Sequence, residues 1–312
     1  MRLIDRDEVR ARLDMETCIP LVRSAMMALS AGRTRQLLRS IIPLGEGRMF
    51  GIMPGALGEG GVFGSKLISV YPENFAKGKQ SHQGVVVLFE SEGGAPVCVV
   101  HAGEITAIRT AAASAVATGA LARPDARRLA ILGYGEQALS HALAISKVRR
   151  LDRITVWGRS PERAARAAAK ITETTGVAAE PTVEVEAAVA DADMICTVTS
   201  ASEPVLLGRW VKPGAHINLV GSSYDGPVEV DGDLVVKSRF IADSREGVLR
   251  QGAEFLKAKA AGLIGDDHIV AEIGEVLLGE KAGRQSSEQI TVYKSLGHIV
   301  QDLAAASALY AG

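Results

Sequence analysis

Two glycines that follow a short apolar run are the first residues whose spacing points to chemistry. The stretch AILGYGEQA places Gly133 and Gly135, followed by Glu136, directly before a helical stretch from Gln137, and all four residues are assigned to a cofactor. Between a strand and a helix, the first glycine permits a tight turn, and the second lets backbone N–H groups approach a pyrophosphate. Ala138 then allows the helix to pack closely, with its N-terminus facing the anion. The stretch predicts a dinucleotide site, and a plain strand-to-helix turn is the alternative.

The end of the next predicted strand indicates which nicotinamide cofactor this loop binds. NAD-binding proteins usually place Asp or Glu about 20 residues after the glycines, to hydrogen-bond the ribose 2′-hydroxyl. The sequence reads VWGRS at that position, so Arg159 offers a cation and Ser160 a hydroxyl to a 2′-phosphate. We therefore expect NADP (NADPH) rather than NAD. The alternative is that Arg159 is a solvated surface residue.

Composition narrows the class of protein. The chain has 312 residues, 47% of them hydrophobic and 23% charged, with a net charge of −1 and three cysteines. This balance is typical of a globular protein and gives no basic surface for nucleic acid. The cysteines form no CxxC pair, so we expect neither a disulfide framework nor a metal site. The charged N-terminus and the lack of a long apolar segment predict a cytoplasmic protein without a membrane partner.

The middle of the chain alternates between strand-like and helix-like segments. Apolar runs such as RRLAILG, RITVWG, DMICTVT, HINLVG and RFIAD are typical of strands buried on both faces of a parallel sheet. Between them, Ser160 and Pro161 predict the start of a helix and Gly176 its end. The pattern predicts an α/β fold, with a Rossmann-type doubly wound parallel sheet over residues 121–290.

The first 120 residues follow a different pattern. Strand-like stretches dominate with little helix between them, and ESEGGAP is typical of a hairpin turn. We therefore expect an antiparallel α+β domain over residues 1–120. The segment 291–312 is expected to be an amphipathic helix that returns to this domain.

Several stretches together resemble the ornithine cyclodeaminase/mu-crystallin family over nearly the whole chain. They are MPG, GSKLISVYPEN, SHQGVVVLFE, ITAIRTAAASA, LGYGEQA, AEIGEVLLG and YKSLG, in the family's order and spacing. The resemblance implies an N-terminal domain that binds substrate and forms a homodimer, with a nicotinamide-binding domain inserted before the C-terminal helix. It also implies chemistry at the α-carbon of a small amino acid or imino acid.

Matched position by position, the resemblance assigns Arg39, Lys66 and Arg109 to the substrate carboxylate. A planar guanidinium binds a carboxylate through two hydrogen bonds, while a lysine adds charge and a transferable proton. For each of the three, an ordinary surface or structural cation is the alternative.

Two positions depart from the cyclodeaminase pattern. Cyclodeaminases carry a catalytic aspartate where this sequence has Ser223, and a glutamate where it has Gly51. Asp225 would replace the aspartate only if the loop changed register. Ser223 is instead what the mu-crystallin branch shows, and that branch reduces cyclic ketimines with a nicotinamide cofactor.

Further residues are assigned to the nicotinamide end of the cofactor site. Thr110, Thr199 and Gly221 are expected there, although capping roles are the alternative for both threonines. Ser295 lies in the stretch KSLG, which matches the family's KS-x-G.

The remaining polar residues carry less specific expectations. His82 is expected to relay a proton, to bond the cofactor or to be structural, whereas His101 and His216 are expected to be structural. Asp302, on the C-terminal helix, is expected on a solvated face.

These observations predict an NADPH-dependent reductase of cyclic or α-imino acids. Lys66 and Ser223 are its expected catalytic residues, and the same parts would serve an amino-acid dehydrogenase in reverse. The alternatives are an ornithine cyclodeaminase that recycles NAD, and a non-enzymatic binding protein of the crystallin kind. Ring size and the direction of the reaction are left open by the sequence.

Overall fold

The computed structural model describes residues 1–74 and 77–312 in full, and the backbone alone at 75 and 76. The chain divides into two compact units. Unit 1 comprises Met1–Thr110 and His298–Gly312, and unit 2 comprises Ala111–Gly297. The divisions therefore lie at 110/111 and 297/298, whereas the sequence suggested 120/121 and 290/291. The first division falls inside a continuous helix, where no change in composition marks it.

The strands are, in chain order, β1 (Arg2–Ile4), β2 (Arg35–Gln36), β3 (Ser40–Gly45), β4 (Arg48–Ala56), β5 (Phe63–Val70), β6 (His82–Phe89), β7 (Pro96–His101), β8 (Arg128–Leu132), β9 (Arg153–Trp157), β10 (Ala179–Thr182), β11 (Met194–Thr197), β12 (His216–Leu219), β13 (Arg239–Ala242), β14 (Ile269–Glu272) and β15 (Thr291–Lys294). The α-helices are α1 (Arg6–Arg12), α2 (Met15–Ser30), α3 (Ala102–Leu121), α4 (Glu136–Ser146), α5 (Pro161–Thr175), α6 (Val185–Val189), α7 (Gly232–Lys237), α8 (Arg245–Gln251), α9 (Ala253–Ala260), α10 (Ile273–Leu278) and α11 (Ile299–Ala311). Short 3₁₀ helices cover Pro72–Lys77, Gly208–Trp210 and Asp266–His268.

Unit 1 is built on a mostly antiparallel sheet. Its strand order is β1-β7-β6-β5-β4-β2, with β3 paired to β4 and β1 parallel to β7. The turn between β6 and β7 contains the predicted ESEGGAP hairpin. Helices α2 and α11 pack on each other, and α11 also packs on β4, β5 and β6. This arrangement fixes α11 against the strand that carries Lys66.

The long helices α2 and α3 lie before and after the strands β3–β7. Helix α3 ends at Leu121, and its described residues are buried on nearly every side, so it lacks the polar face that gives a helical period. Helix α2 begins at a clear N-cap, since the Asp14 side chain accepts a hydrogen bond from Thr17 N at 2.8 Å. Between β4 and β7 the only described helix is the short 3₁₀ helix, in agreement with the expectation of little helix between these strands.

Unit 2 is a doubly wound parallel sheet, as predicted. Its order is β10-β9-β8-β11-β12-β15-β13-β14, and each described pairing in it is parallel. The order reverses between β8 and β11, which is where such sheets bind ligands at the carboxyl ends of their strands. Ser160 caps α5, and Gly176 ends it with φ 73°. The predicted fold class is confirmed.

The segment 291–312 differs from the single helix that was expected. Residues Thr291–Lys294 form β15, which lies between β12 and β13 in the sheet of unit 2, and the helix begins only at Ile299. The short TVYK strand lies too close to the apolar helix for periodicity to separate the two. Among the described residues, no helix is both long enough and apolar enough to cross a membrane.

Candidate active site

Three charged side chains from distant parts of the chain meet inside unit 1. Lys66 lies on β5, Arg109 on α3 and Asp302 on α11, and all three are almost completely buried. Asp302 Oδ1 accepts hydrogen bonds from Lys66 Nζ and from Arg109 Nε, each at 3.0 Å. Lys66 Nζ also donates to Thr106 Oγ1 at 2.6 Å, and Arg109 Nη1 donates to Gln301 Oε1 at 2.8 Å. We call Lys66, Arg109 and Asp302 the buried ion cluster.

Positive charge exceeds negative charge around the buried ion cluster. The charge of Arg39, which directly precedes β3, lowers the pKa values of Lys66, His82 and His298, so its guanidinium lies within electrostatic reach of all three. Burial is the main reason that the pKa of each of these two histidines falls to about 4, so both are neutral at neutral pH. The structure thus brings together Arg39, Lys66 and Arg109, the three cations assigned to a carboxylate.

The proton affinity of Lys66 is tuned by its surroundings. Burial lowers its pKa to about 7, Arg109 and Arg39 add to that shift, and Asp302 opposes it. Burial tends to raise the pKa of Asp302, but the charges of Arg109 and Lys66 hold it below its usual range. At neutral pH, Lys66 is therefore poised to give or take a proton, while Asp302 remains a carboxylate.

Asp302 was wrongly placed on a solvated face by the sequence. Its side chain is fully buried, because the face of α11 that carries it packs on the strands of unit 1. Thr106 and Gln301, the neutral partners of Lys66 and Arg109, were also missed. A signal was present: an acidic residue in the otherwise apolar helix IVQDLAAASALY needs a buried cation as partner.

The glycine loop joins β8 to α4 in unit 2. Gly133 has φ 125°, and an added Cβ there would lie 2.7 Å from the Val198 carbonyl oxygen, so the loop passes close to the end of β11. Gly135 is the N-cap of α4, and no side-chain hydrogen bond caps this helix. An added Cβ at Gly135 would have no heavy atom within 4 Å, leaving open space in front of the helix N-terminus. The N–H groups of Glu136 and Gln137 begin this helix.

Two buried polar atoms in unit 2 suit a nicotinamide dinucleotide. Gln137 Oε1 and Ser295 Oγ are buried and have no hydrogen-bond partner among the described residues. Gln137 lies in the first turn of α4, and the Ser295 N–H donates to the Leu219 carbonyl at the end of β12. Buried polar atoms usually have hydrogen-bond partners, so these two atoms, with the open space at Gly135, suit a polar ligand that lies along the carboxyl ends of the strands.

The residues assigned to the 2′-phosphate lie at the end of β9. Arg159 is exposed, and Ser160 Oγ accepts from the Arg163 N–H at 3.3 Å, so this hydroxyl caps α5. An added Cβ at Gly158 would overlap the Tyr134 ring, so the glycine loop packs against this strand end. Arg159 therefore lies beside the glycine loop. The contact of Arg159 with the cofactor stays a prediction.

A buried carboxylate that sequence reasoning missed ties the strand ends together. Glu229 accepts hydrogen bonds from Thr197 Oγ1, from the N–H and the hydroxyl of Thr199, and from Gly221 N, at 2.7–2.8 Å. Burial raises its pKa, and these donors oppose the rise. The Thr199 hydroxyl, which also accepts from Ala201 N, thus has a structural role, and its contact with nicotinamide stays a prediction.

The two positions that depart from cyclodeaminases differ in setting. Gly51 is buried in β4, where an added Cβ would lie 3.3 Å from Ile68 Cγ2. Ser223 is half-buried in the loop after β12, whereas Asp225 is exposed. The position of Thr110, at the end of unit 1, is buried in α3. Within residues 1–74 and 77–312, no group of three or more His, Cys, Asp or Glu side chains is placed to hold a metal.

The fold and these residues define a class of protein. A doubly wound sheet with an open glycine loop, and a buried cluster rich in cations, are typical of nicotinamide-dependent oxidoreductases that act on small carboxylates. The sequence model of the ornithine cyclodeaminase/mu-crystallin family matches residues 2–311. The chain belongs to this family, as its motifs predicted.

Similar proteins carry the names of imine reductases. Delta(1)-pyrroline-2-carboxylate reductase of Bacillus cereus is 34% identical over 312 residues, covering 99% of this chain and 96% of that protein. Ketimine reductase mu-crystallin of Rattus norvegicus is 37% identical over 312 residues, covering 98% of this chain and 96% of that protein.

The fold is also shared with a solved structure. Delta(1)-pyrroline-2-carboxylate reductase of Thermococcus litoralis, in complex with NADH and L-proline, superposes with a TM-score of 0.97 at 33% identity, covering 100% of this chain and 97% of that one. These three relatives are named reductases, in agreement with the branch that Ser223 and Gly51 favoured.

Proposed function

We propose that this protein is a nicotinamide-dependent reductase of cyclic or α-imino acids, of the pyrroline-2-carboxylate or ketimine type. The observation that carries the proposal is the excess of positive charge around Asp302. Lys66 and Arg109 both pair with this single carboxylate, and the nearby His82 and His298 are neutral. A small anion neutralises that excess, and the named relatives act on small carboxylates.

Each residue of unit 1 then has a chemical task. Arg109 and Arg39 bind the substrate carboxylate and thereby fix the α-carbon. The nicotinamide, when bound, supplies a hydride to the imine carbon. Lys66 supplies the proton that the nitrogen gains, and Ser223, in unit 2, is proposed as a second catalytic residue that orients an ordered water. With a pKa of about 7, Lys66 holds a transferable proton in the neutral range.

The test is a paired assay of the purified protein. Reduced-nicotinamide absorbance is followed with Δ1-pyrroline-2-carboxylate and Δ1-piperideine-2-carboxylate, beside an ammonia assay with L-ornithine. We expect rapid oxidation of the cofactor and no ammonia. Ammonia and proline from ornithine without net redox change would instead establish the cyclodeaminase. Inactivity with both imines and in reverse with L-proline would overturn the enzymatic proposal and favour the non-enzymatic binding protein.

We also propose NADPH as the preferred cofactor. Arg159 is exposed at the end of β9, beside the Tyr134 ring of the glycine loop, and no acidic residue occupies the VWGRS stretch. A guanidinium at this place favours a 2′-phosphate, whereas NAD-binding proteins usually place a carboxylate there.

Arg159→Asp tests the cofactor preference. We expect the ratio of kcat/KM for NADPH over NADH to fall by about 100-fold, since an attractive charge becomes a repulsive one at a phosphate. Arg166→Asp, the same change further along the exposed face of α5, is the matched control. An equal ratio in the wild type and Arg159→Asp would remove this residue from the cofactor site.

A homodimer is proposed from the outer surface of unit 1. Apolar side chains of and just before β3 are exposed in the single chain, namely Leu37, Ile42 and Leu44, and so is Phe63 at the start of β5. A second copy would cover them. Ile42→Glu is expected to convert the dimer to a monomer in light scattering, whereas Val236→Glu, at an exposed position of α7 in unit 2, leaves the mass unchanged. A monomeric wild type, or a dimeric Ile42→Glu, contradicts this interface.

The cytoplasm is proposed as the compartment. Cys18, Cys98 and Cys196 are free and buried. Free thiols persist in reducing compartments, and reduced nicotinamides are supplied there. A fluorescent fusion viewed in the cell checks this assignment, and a periplasmic or exported signal would contradict it.

A further inference from the structure

Asp302 differs from two other buried aspartates because none of the described hydrogen bonds to its carboxylate comes from the backbone. Asp193 Oδ1 also accepts from two cations, Arg123 Nη2 and Lys212 Nζ, but Asp193 Oδ2 accepts from two backbone N–H groups. Asp243 accepts from three backbone N–H groups, so both of these aspartates fix the course of the chain. Asp302 accepts from two cationic side chains, Lys66 Nζ and Arg109 Nε, and both bond to Oδ1. Its other oxygen, Oδ2, is buried without a hydrogen-bond partner in the described part of the chain.

The contacts of Asp302 determine the orientation of both cations. Lys66 Nζ has three N–H bonds, and Asp302 and Thr106 accept two of them, which leaves one direction for the third. Arg109 is held by its Nε on Asp302 and its Nη1 on Gln301, which fixes the plane of the guanidinium and leaves its other N–H groups for a ligand. One buried carboxylate oxygen thus aims both groups.

We propose that Asp302 is a positioning residue that aims Lys66 at the substrate nitrogen and Arg109 at the substrate carboxylate, and that keeps Lys66 protonated enough to act as the acid. This inference rests on the proposed reductase function. It assigns a role in the reaction to a residue that does not itself need to touch the substrate.

The charges that face Lys66 come from several elements. Arg109 on α3 and Arg39 before β3 disfavour its proton, whereas Asp302 on α11 favours it. His82 on β6 and His298 at the start of α11 are neutral near pH 7, because burial lowers the pKa of each to about 4. Among these described groups, Asp302 is the one carboxylate, so its removal leaves Lys66 beside two guanidinium groups.

Asp302→Asn keeps the shape of the side chain and removes its charge. The proton must come from the protonated lysine, so kcat/KM falls as pH rises through the pKa of Lys66. An opposite charge in contact shifts a pKa by about 1–3 units, so we expect the alkaline midpoint of kcat/KM in Asp302→Asn to move down by at least about one pH unit. Thr106→Val, which removes a neutral partner of the same ammonium, is the matched control and should shift the midpoint by less.

A second readout needs no turnover. In protein labelled with ¹³C-lysine, the Cε resonance of Lys66, assigned with Lys66→Arg, reports its protonation directly. We expect the midpoint in Asp302→Asn to lie at least about one unit below that of the wild type. If the wild type reduces no imine, the proposed function fails, while this titration still tests the role of Asp302.

If Asp302→Asn does not fold, a second pair of variants tests the same point. The pair is Arg109→Gln and the double variant Arg109→Gln/Asp302→Asn, both of which bury one cation fewer than the wild type. The difference between the Lys66 midpoints of these two variants gives the effect of the Asp302 carboxylate alone. A lower midpoint in the double variant supports the inference. An unchanged Lys66 midpoint, in this pair or between the wild type and a folded Asp302→Asn, overturns it.

Discussion

The buried ion cluster of unit 1 and the glycine loop of unit 2 are built in opposite ways. The cluster consists of side chains far apart in sequence, since Lys66 and Asp302 are separated by 236 positions. The loop consists of backbone from one contiguous stretch, in which Gly133 and Gly135 leave room near the N-terminus of α4. A site made of charges depends on the whole fold, whereas a site made of backbone depends on a turn and the helix that follows it.

Two buried carboxylates, Asp302 in unit 1 and Glu229 in unit 2, are held by different kinds of partner. Asp302 is neutralised by cations, so its pKa is lowered, whereas burial raises the pKa of Glu229, which is held by neutral N–H and O–H donors. The first arrangement orients groups that can react, and the second fixes strand ends. A buried carboxylate with charged partners is therefore the better candidate for a functional residue than one with backbone partners.

The largest expected effect comes from Arg109. Truncating one partner of a buried charge pair costs about 2–5 kcal/mol, so Arg109→Ala is expected to lower kcat/KM for the imino acid by about 10³-fold, mainly through KM. Cofactor affinity, measured by fluorescence titration, should change little, because the dinucleotide is assigned to unit 2. The control is Arg250→Ala, at an exposed position of α8. Full activity in Arg109→Ala would remove this residue from the substrate site.

A smaller effect is expected at Gly135, where a substitution should weaken cofactor binding rather than substrate binding. The φ of this residue is −77° and an added Cβ meets no heavy atom, so Gly135→Ala should fold with a free energy of unfolding within about 1 kcal/mol of the wild type. The methyl group would occupy the space assigned to the pyrophosphate and weaken cofactor binding by about 10- to 100-fold.

Calorimetric titration with NADPH checks this expectation. Gly119→Ala, where an added Cβ also meets no heavy atom, serves as the control. Unchanged affinity in Gly135→Ala would show that the loop is only a turn.

The smallest catalytic effect is expected at Glu229. In Glu229→Gln, an amide replaces one acceptor oxygen, so at least one of the donors on Thr197, Thr199 or Gly221 loses its partner. An unsatisfied buried donor costs about 1–3 kcal/mol, which urea unfolding should show as a lower midpoint. At a temperature at which Glu229→Gln remains folded, its kcat/KM should fall less than that of Arg109→Ala. Glu180→Gln, at an exposed position of β10, is the control, and an unchanged urea midpoint in Glu229→Gln would contradict the bracing role.

Local patterns fixed much of unit 2 in advance. The glycine loop, the Ser160 cap and the strands β8, β9 and β11–β13 follow from residues close together in sequence. The pattern failed for α3, which is buried on nearly every side, and for β15, whose short strand adjoins an apolar helix. Periodicity needs a polar face to be visible, and neither element has one.

The sequence by itself determined the parallel α/β fold of unit 2 and its glycine loop, and family motifs predicted Arg39, Lys66 and Arg109 as substrate-binding residues. Only the tertiary structure decided that Asp302 joins Lys66 and Arg109, and that Glu229 bonds Thr199 and Gly221. The physical reason is that turns and caps are satisfied within a few residues, whereas a buried charge is satisfied by whichever partner the packed elements bring to it.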